Sequence, residues 1–309
     1  MIGRSRSARR RRAGFVVVAV LWLMAMLAAL AATFAFYIAN TNAALARHGE
    51  KLQAEALVQA GVELVAYQLN ARREFGLFPG RFTFQSGAAT VSVAFRGETA
   101  RIDLNRAPAE LIAGLFAALG ASAPAAEDYA RRVAAWRMAS DKAAEEAEAA
   151  AYRAAGLNYG PRNGPFPHVG ELALVRGLPE VLVERALPFV TVYSGQPEVN
   201  AAQAAPEVLA ALPGMSSDRL YAALAQRERE PQNMQALTAL LGSSAAYVTV
   251  EGGRATRVTV DVDLGNGRRT RTEIVILLFE DDDTEPYRVL SWSDEVYETA
   301  EVRPSVERR

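Results

Sequence analysis

The apolar pattern of this chain begins with one unbroken block. Phe15–Ala39 reads FVVVAVLWLMAMLAALAATFAFYIA, and no charged residue occurs between Ala13 and Ala46. About 20 apolar helical residues suffice to cross a bilayer, so the block predicts a transmembrane helix. Beyond it, Leu45, Leu52, Ala56, Leu57, Ala60, Leu64, Val65 and Leu69 recur at spacings of three, four and seven. Glu50, Lys51, Glu55, Glu63, Arg72 and Arg73 fall largely on other faces, which is the pattern of an amphipathic helix. No proline interrupts before Pro79. One helix from Phe15 to about Phe75 would be roughly 90 Å long at 1.5 Å per residue.

The period then changes. Phe82–Phe84, Ala89–Phe95 and Ala100–Leu104 alternate like strands, with turn chemistry at Gly87 and Arg96-Gly97. Strand signals return only near the C-terminus, at Tyr247–Val250, Arg257–Asp263 and Glu273–Phe279, with Arg288–Trp292 as a final candidate. Gly265-Asn266-Gly267 is a hairpin turn between two of them. Residues 108 to about 245 read almost entirely helical. The fold class expected is α+β: a head with one long helix on an antiparallel sheet, the sheet split in sequence by a large all-helical insertion.

A short pattern repeats inside that insertion. Ile102-Asp103-Leu104-Asn105-Arg106-Ala107 leads into Pro108-Ala109-Glu110-Leu111, and Val199-Asn200-Ala201-Ala202 leads into Pro206-Glu207-Val208-Leu209. Asn105 and Asn200 are each placed to accept a hydrogen bond from a helix-start amide, as N-caps do. Proline and glutamate suit the first helical turn. Tight turns at Arg176-Gly177-Leu178-Pro179 and Leu212-Pro213-Gly214 resemble those of helix–hairpin–helix or SAM-like units.

Such units often present backbone amides to DNA phosphate, which requires cationic surroundings. Residues 108–246 hold 11 Lys+Arg against 15 Asp+Glu, the wrong sign for that role. The whole chain of 309 residues is near neutral, with 34 basic and 35 acidic side chains. It has no cysteine, which excludes disulfides, Cys-ligated metals and thiol catalysis. Only His48 and His168 are available for histidine chemistry, and neither has a partner motif. An enzyme is disfavoured. Asp281-Asp282-Asp283, with Glu280 and Glu285, forms an acidic loop; its carboxylates are weak calcium candidates. No cofactor is otherwise expected. Trp136, beside Arg132 and Arg137, reads as a packing anchor.

The N-terminus carries the sharpest signal. Arg4, Arg6, Arg9, Arg10, Arg11 and Arg12 precede the apolar block, so that end stays in the cytoplasm and the other projects outward. A signal peptide usually has an apolar region of only about 7–15 residues. Arg12-Ala13-Gly14 followed by Phe15-Val16-Val17-Val18 resembles the cleavage and methylation site of type IV prepilins and type II secretion pseudopilins. The resemblance implies cleavage between Gly14 and Phe15, methylation of Phe15 and retention of the apolar helix. Most members carry Glu at the fifth mature position, where this chain has Ala19. A carboxylate in an apolar span costs roughly 2.5–3.5 kcal/mol on insertion scales. In a pilus it pairs with the N-terminal amine of a neighbouring subunit. A subunit with nothing ahead of it can dispense with it.

Taken with Pro161-Arg162-Asn163-Gly164-Pro165-Phe166 before Glu171-Leu172, Pro188–Tyr193, and Tyr287–Trp292, these features resemble the type II secretion system protein K family along essentially the whole chain. An acidic pair usual before the first Asn motif is replaced by Arg96-Gly97-Glu98-Thr99. The resemblance implies a minor pseudopilin that caps the periplasmic pseudopilus and helps start its assembly. Its implied partners are the I and J minor pseudopilins, the major pseudopilin, the inner-membrane assembly platform and the prepilin peptidase, and no nucleic acid. The expected place is the bacterial inner membrane, single-pass, with the head periplasmic. The division expected is a leader at 1–14, the transmembrane helix at 15–39, and helix plus first strands at 40–106. An insertion follows at 107–245 (about 107–195 and 196–245), then closing strands at 246–309. A membrane-anchored periplasmic helix–hairpin–helix binding protein of the DNA-uptake type is the alternative, and an exported enzyme using carboxylates is a third.

Overall fold

The structure, a computed structural model, describes residues 9–72, 79–138, 142–279 and 285–297. It divides into two compact units, Met1–Ala56 and Leu57–Arg309. Helix α1 (Arg9–Arg72) supplies the first and opens the second. Within the first unit, the stretch Phe15–Thr41 is 27 residues long, apolar enough to cross a membrane, and none of it is buried. Alanine, leucine and methionine favour the helix here, and no glycine or proline breaks it.

The second unit continues with β1 (Gly80–Ser86), β2 (Ala89–Gly97), a 3-10 turn at Glu98–Ala100, and β3 (Ile102–Asp103). Helices α2 (Ala109–Ala118), α3 (Ala123–Arg137), α4 (Lys142–Ala154) and α5 (Glu180–Ala186) precede β4 (Val190–Thr191). Then come β5 (Val199–Asn200), α6 (Pro206–Ala210), α7 (Ser217–Arg229), α8 (Met234–Leu241) and β6 (Val248–Thr249). The chain ends its described part with β7 (Ala255–Asp263), β8 (Arg269–Leu278) and β9 (Tyr287–Tyr297). Among the described residues there is one five-stranded antiparallel sheet, ordered β1-β2-β7-β8-β9, and two parallel strand pairs, β3–β4 and β5–β6.

One face of the sheet is apolar by strict alternation. Val91 and Val93 on β2, Val258, Val260 and Val262 on β7, and Ile274, Ile276 and Leu278 on β8 are all buried. They pack against Leu57, Val58, Val62, Val65, Ala66 and Leu69 of α1. Each such side chain contributes roughly 1.5–3 kcal/mol on burial. Gly61 permits the close approach: a Cβ there would sit 3.1 Å from Val93 Cγ2 and 3.4 Å from Val260 Cγ1. The other face carries Asp261–Arg271 and Asp263–Arg269 as directly opposed ion pairs between β7 and β8, and toward the end of β8 it also buries Val275.

The insertion has its own core, including Leu111, Ile112, Leu115 and Phe116 of α2 and Val133 and Trp136 of α3. It is helical apart from the two parallel strand pairs, which the sequence reading did not anticipate. Ile102–Leu104 and Tyr247–Val250 alternate like sheet strands, yet Ile102 pairs with Val190 and Val199 with Val248. Local alternation reports an extended backbone and is silent about its partner. The 3-10 turn after Gly97 takes the chain away from the end of β2 before Ile102 is reached.

Candidate functional site

The residues singled out from sequence fall in two places: the start of α1 and the insertion. Gly14 and Phe15 lie inside α1, and Phe15 is 76% exposed. Ala19, the fifth residue after that junction, is also exposed. The helix exposes Val16, Val17, Val18, Leu21 and Trp22 as well.

At the insertion, Asn105 and Asn200 do not cap helices. The residue before α2 is Pro108 and that before α6 is Ala205, neither with a side-chain cap. Asn105 instead spans to a distant loop: its Nδ2 donates to Phe166 O at 2.9 Å and its Oδ1 accepts from Phe166 N at 2.7 Å. Matching both backbone groups of one residue satisfies the amide better than a single cap bond. Asn200 accepts from Ala202 N at 2.9 Å and donates to Glu251 O at 3.1 Å.

The structural counterpart of Asn200 is Asp103. Its Oδ1 accepts from Asn105 N at 2.8 Å, the same local turn. The carbonyl of Asp103 accepts from Arg106 N and Ala107 N, as that of Asn200 does from Gln203 N and Ala204 N. Leu104 N donates to Thr191 O, and Ala201 N to Thr249 O. An arginine from the following helix pair closes each joint. Arg137 at the end of α3 donates to Leu104 O and Ala107 O; Arg227 on α7 donates to Ala201 O and Ala204 O. Burial lowers the pKa of both guanidiniums; Asp103 offsets this for Arg137, while Arg96 adds to it for Arg227. No local motif announces these arginines. They stand at unequal distances along the chain from Asp103 and Asn200, so no common spacing exposes them either.

Gly177 and Gly214 stand in left-handed turns, with φ of +76° and +77°. A Cβ on Gly177 would lie 2.1 Å from Arg132 Nη1, which donates to Arg176 O. Trp136 is 3% exposed, its ring stacked on Phe166 and tilted against Tyr152. His168, assigned no role from sequence, caps the 3-10 turn Val169–Leu174 by accepting from Gly170 N.

The insertion is tied to the sheet by a buried ionic node. Glu98, 1% exposed, accepts from Arg257 Nε at 2.6 Å and from Nη2 at 3.1 Å. Thr191 Oγ1 donates to the same carboxylate, and Arg257 Nη1 reaches Glu273. Burial opposes the charge on Arg257, but the bonds and charge of Glu98, with Glu273, hold its pKa above the ordinary arginine value. Gly97 N donates to Gln203 Oε1 at 3.1 Å, so both halves of the insertion touch this corner. The node spans 159 residues of sequence, beyond the reach of motif reading.

Among the described residues, no group of three or more His, Asp or Glu could hold a metal ion. Asp281, Asp282 and Asp283 lie outside the described residues.

Residues 95–195 match the family model described as type II secretion system (T2SS), protein K. A solved structure, the GspK–GspI–GspJ complex of the enterotoxigenic Escherichia coli type 2 secretion system, contains a chain of the same fold. The match has a TM-score of 0.62 at 15% identity and covers 84% of this chain and 100% of that one. No curated protein matches the sequence. The family match runs from the end of β2 to the segment after β4, the stretch that holds Glu98, Thr191 and the first joint, so this part of the chain is similar to type II secretion system protein K.

Proposed function

We propose that this chain is a minor pseudopilin of the type II secretion system that sits at the tip of the periplasmic pseudopilus and helps to start its assembly. The observation that carries the reading is the family match over 95–195, a segment set inside an α-helix-on-sheet head behind a bare apolar helix. Partners analogous to GspI and GspJ are assigned because the matching fold was solved in complex with them. Ala19 supports the leading position, since a subunit with none ahead has no amine to neutralise. The insertion supports it too, since residues 98–254 add bulk to every copy and would obstruct repeated stacking along a fibre. The arginine-rich leader favours a cytoplasmic N-terminus and a periplasmic head. On this reading the chain acts mechanically, with no cofactor, and inner-membrane assembly drives it outward. The acidic balance of the insertion argues against the DNA-uptake alternative.

The test is co-expression of the full chain with its I and J counterparts and a prepilin peptidase, followed by purification in detergent and mass spectrometry. A ternary complex whose protein K chain begins at N-methylated Phe15 is expected. A chain cut near Ala28–Ala46, or one that elutes alone, would refute the proposal.

A further inference from the structure

A cavity of about 620 Å³ opens where the insertion meets the sheet, beside the Glu98–Arg257 node. Its walls are of two kinds. Phe95, Phe189, Pro79 and Pro188 are apolar, whereas Arg81, Arg96, Arg101 and Arg257 bring guanidinium groups. The two acids that line it, Glu98 and Glu273, are both committed to Arg257. Arg81, Arg96 and Arg101 make no side-chain hydrogen bond or ion pair with any described residue.

Arg101 is the most telling of the three. It lies between the 3-10 turn and β3 and is partly buried. Burial depresses its pKa, Arg257 depresses it further, and Glu98 and Glu273 restore only part. Arg96 stands directly opposite Arg257 in the sheet and adds its positive charge to that of Arg227 on the insertion side. A partly desolvated cation without a partner costs stability unless something else supplies the anion. The node absorbs its own acids, so the surplus positive charge faces the cavity.

From this juxtaposition we infer that the cavity is a binding site for a carboxylate carried on an apolar body, with Arg101 and Arg96 holding the carboxylate and Phe95 and Phe189 packing its apolar part. Arginine suits this task because its planar fork matches a carboxylate with two parallel bonds. The volume exceeds the needs of a lone inorganic ion and falls within the range of small-ligand pockets. The carboxylate could be supplied by a free aromatic acid or by an acidic residue of a polypeptide. The inference stands independently of the assembly role, since it rests on the cavity and its charges alone.

The test uses the full chain in detergent micelles, followed by thermal unfolding read from tryptophan fluorescence. N-acetylphenylalanine is titrated against its uncharged amide, N-acetylphenylalaninamide. The acid should give a saturable rise of about 4 °C at ten times its half-saturating concentration, and the amide none. Arg101→Gln should abolish the rise and Arg101→Lys restore part of it. Should Arg101→Gln fail to fold, Arg96→Gln on the exposed rim carries the test, with about threefold weaker binding expected. A capped pentapeptide with one glutamate between two phenylalanines separates the sources. Half-saturation at least tenfold lower than for the free acid assigns a polypeptide carboxylate, and the reverse order assigns a free acid. Equal shifts with acid and amide, no saturable shift with acid or peptide, or an undiminished shift in Arg96→Gln and any folded Arg101→Gln would overturn the inference.

Discussion

In the first half of the insertion the turn from β3 toward α2 is made by Asp103; in the second, the turn from β5 toward α6 is made by Asn200. Both side chains accept the amide two residues on, and both then reach the segment following the parallel strand that returns beside them. There they meet opposite chemistry. Asp103 Oδ2 accepts from Gly195 N at 2.8 Å and from Ser194 Oγ at 3.0 Å. Asn200 Nδ2 donates to the carbonyl of Glu251. The shared element is a backbone joint locked by an arginine. The side chain at its corner is set by whether donors or an acceptor face it. A second difference is size: the first half adds α4 and the ring cluster Trp136–Tyr152–Phe166, for which α7 and α8 offer no counterpart.

The largest expected break in the comparison is Trp136→Ala. Removing this buried ring should destabilise the first half by about 3–5 kcal/mol. Hydrogen exchange should rise in 102–138 and 142–191 while 199–249 keeps its protection. Equal loss in both halves would show that they unfold as one unit rather than two.

Exchanging the corner residues comes next. Asn200→Asp places a carboxylate against the carbonyl of Glu251 in a fully buried site and should cost about 3 kcal/mol. Asp103→Asn can keep its local turn through Oδ1 but then turns its NH2 group toward two donors, at about 1–2 kcal/mol. Urea unfolding of the two variants should therefore differ, and similar midpoints would remove the basis for distinguishing the corners.

The smallest effects come from the locking arginines. Arg137→Ala and Arg227→Ala each free two carbonyls and should each cost about 1–2 kcal/mol. The losses should be nearly additive in the double variant, because the joints share no hydrogen bond. Strong coupling would mean that the halves report to one another through α2 and α6. Such a route exists, since a Cβ on Gly114 of α2 would lie 1.9 Å from Ala211 O beyond α6.

These particulars also show where reading the sequence stops. The alternation of Val91–Val93, Val258–Val262 and Ile274–Leu278 was legible because one buried face imposes a period of two. The helix from Phe15 onward was legible from its apolar run and then its spacing. Asn105 and Asn200 were recognised as important and given the wrong job, because an asparagine before a helix reads as a cap unless its distant partners are known. Glu98 with Arg257, and the arginines at 137 and 227, were missed because their meaning lies in partners many residues away. The opening at the insertion root exists only in three dimensions, because its lining comes from β1, β2, β7, β8 and the insertion together.

The insertion leaves the sheet at Gly97 and rejoins it at Ala255, and Gly97 stands opposite Thr256 in the β2–β7 ladder. To that ladder, everything between is the connection of an ordinary antiparallel hairpin. Closure entropy grows only logarithmically with length, and the connection brings a buried core of its own. A splice at this rung, replacing residues 98–254 by a short turn, leaves the strand register and the helix-facing apolar surface in place. Such a rung is where a gene could gain or lose a module without renegotiating the rest of the fold.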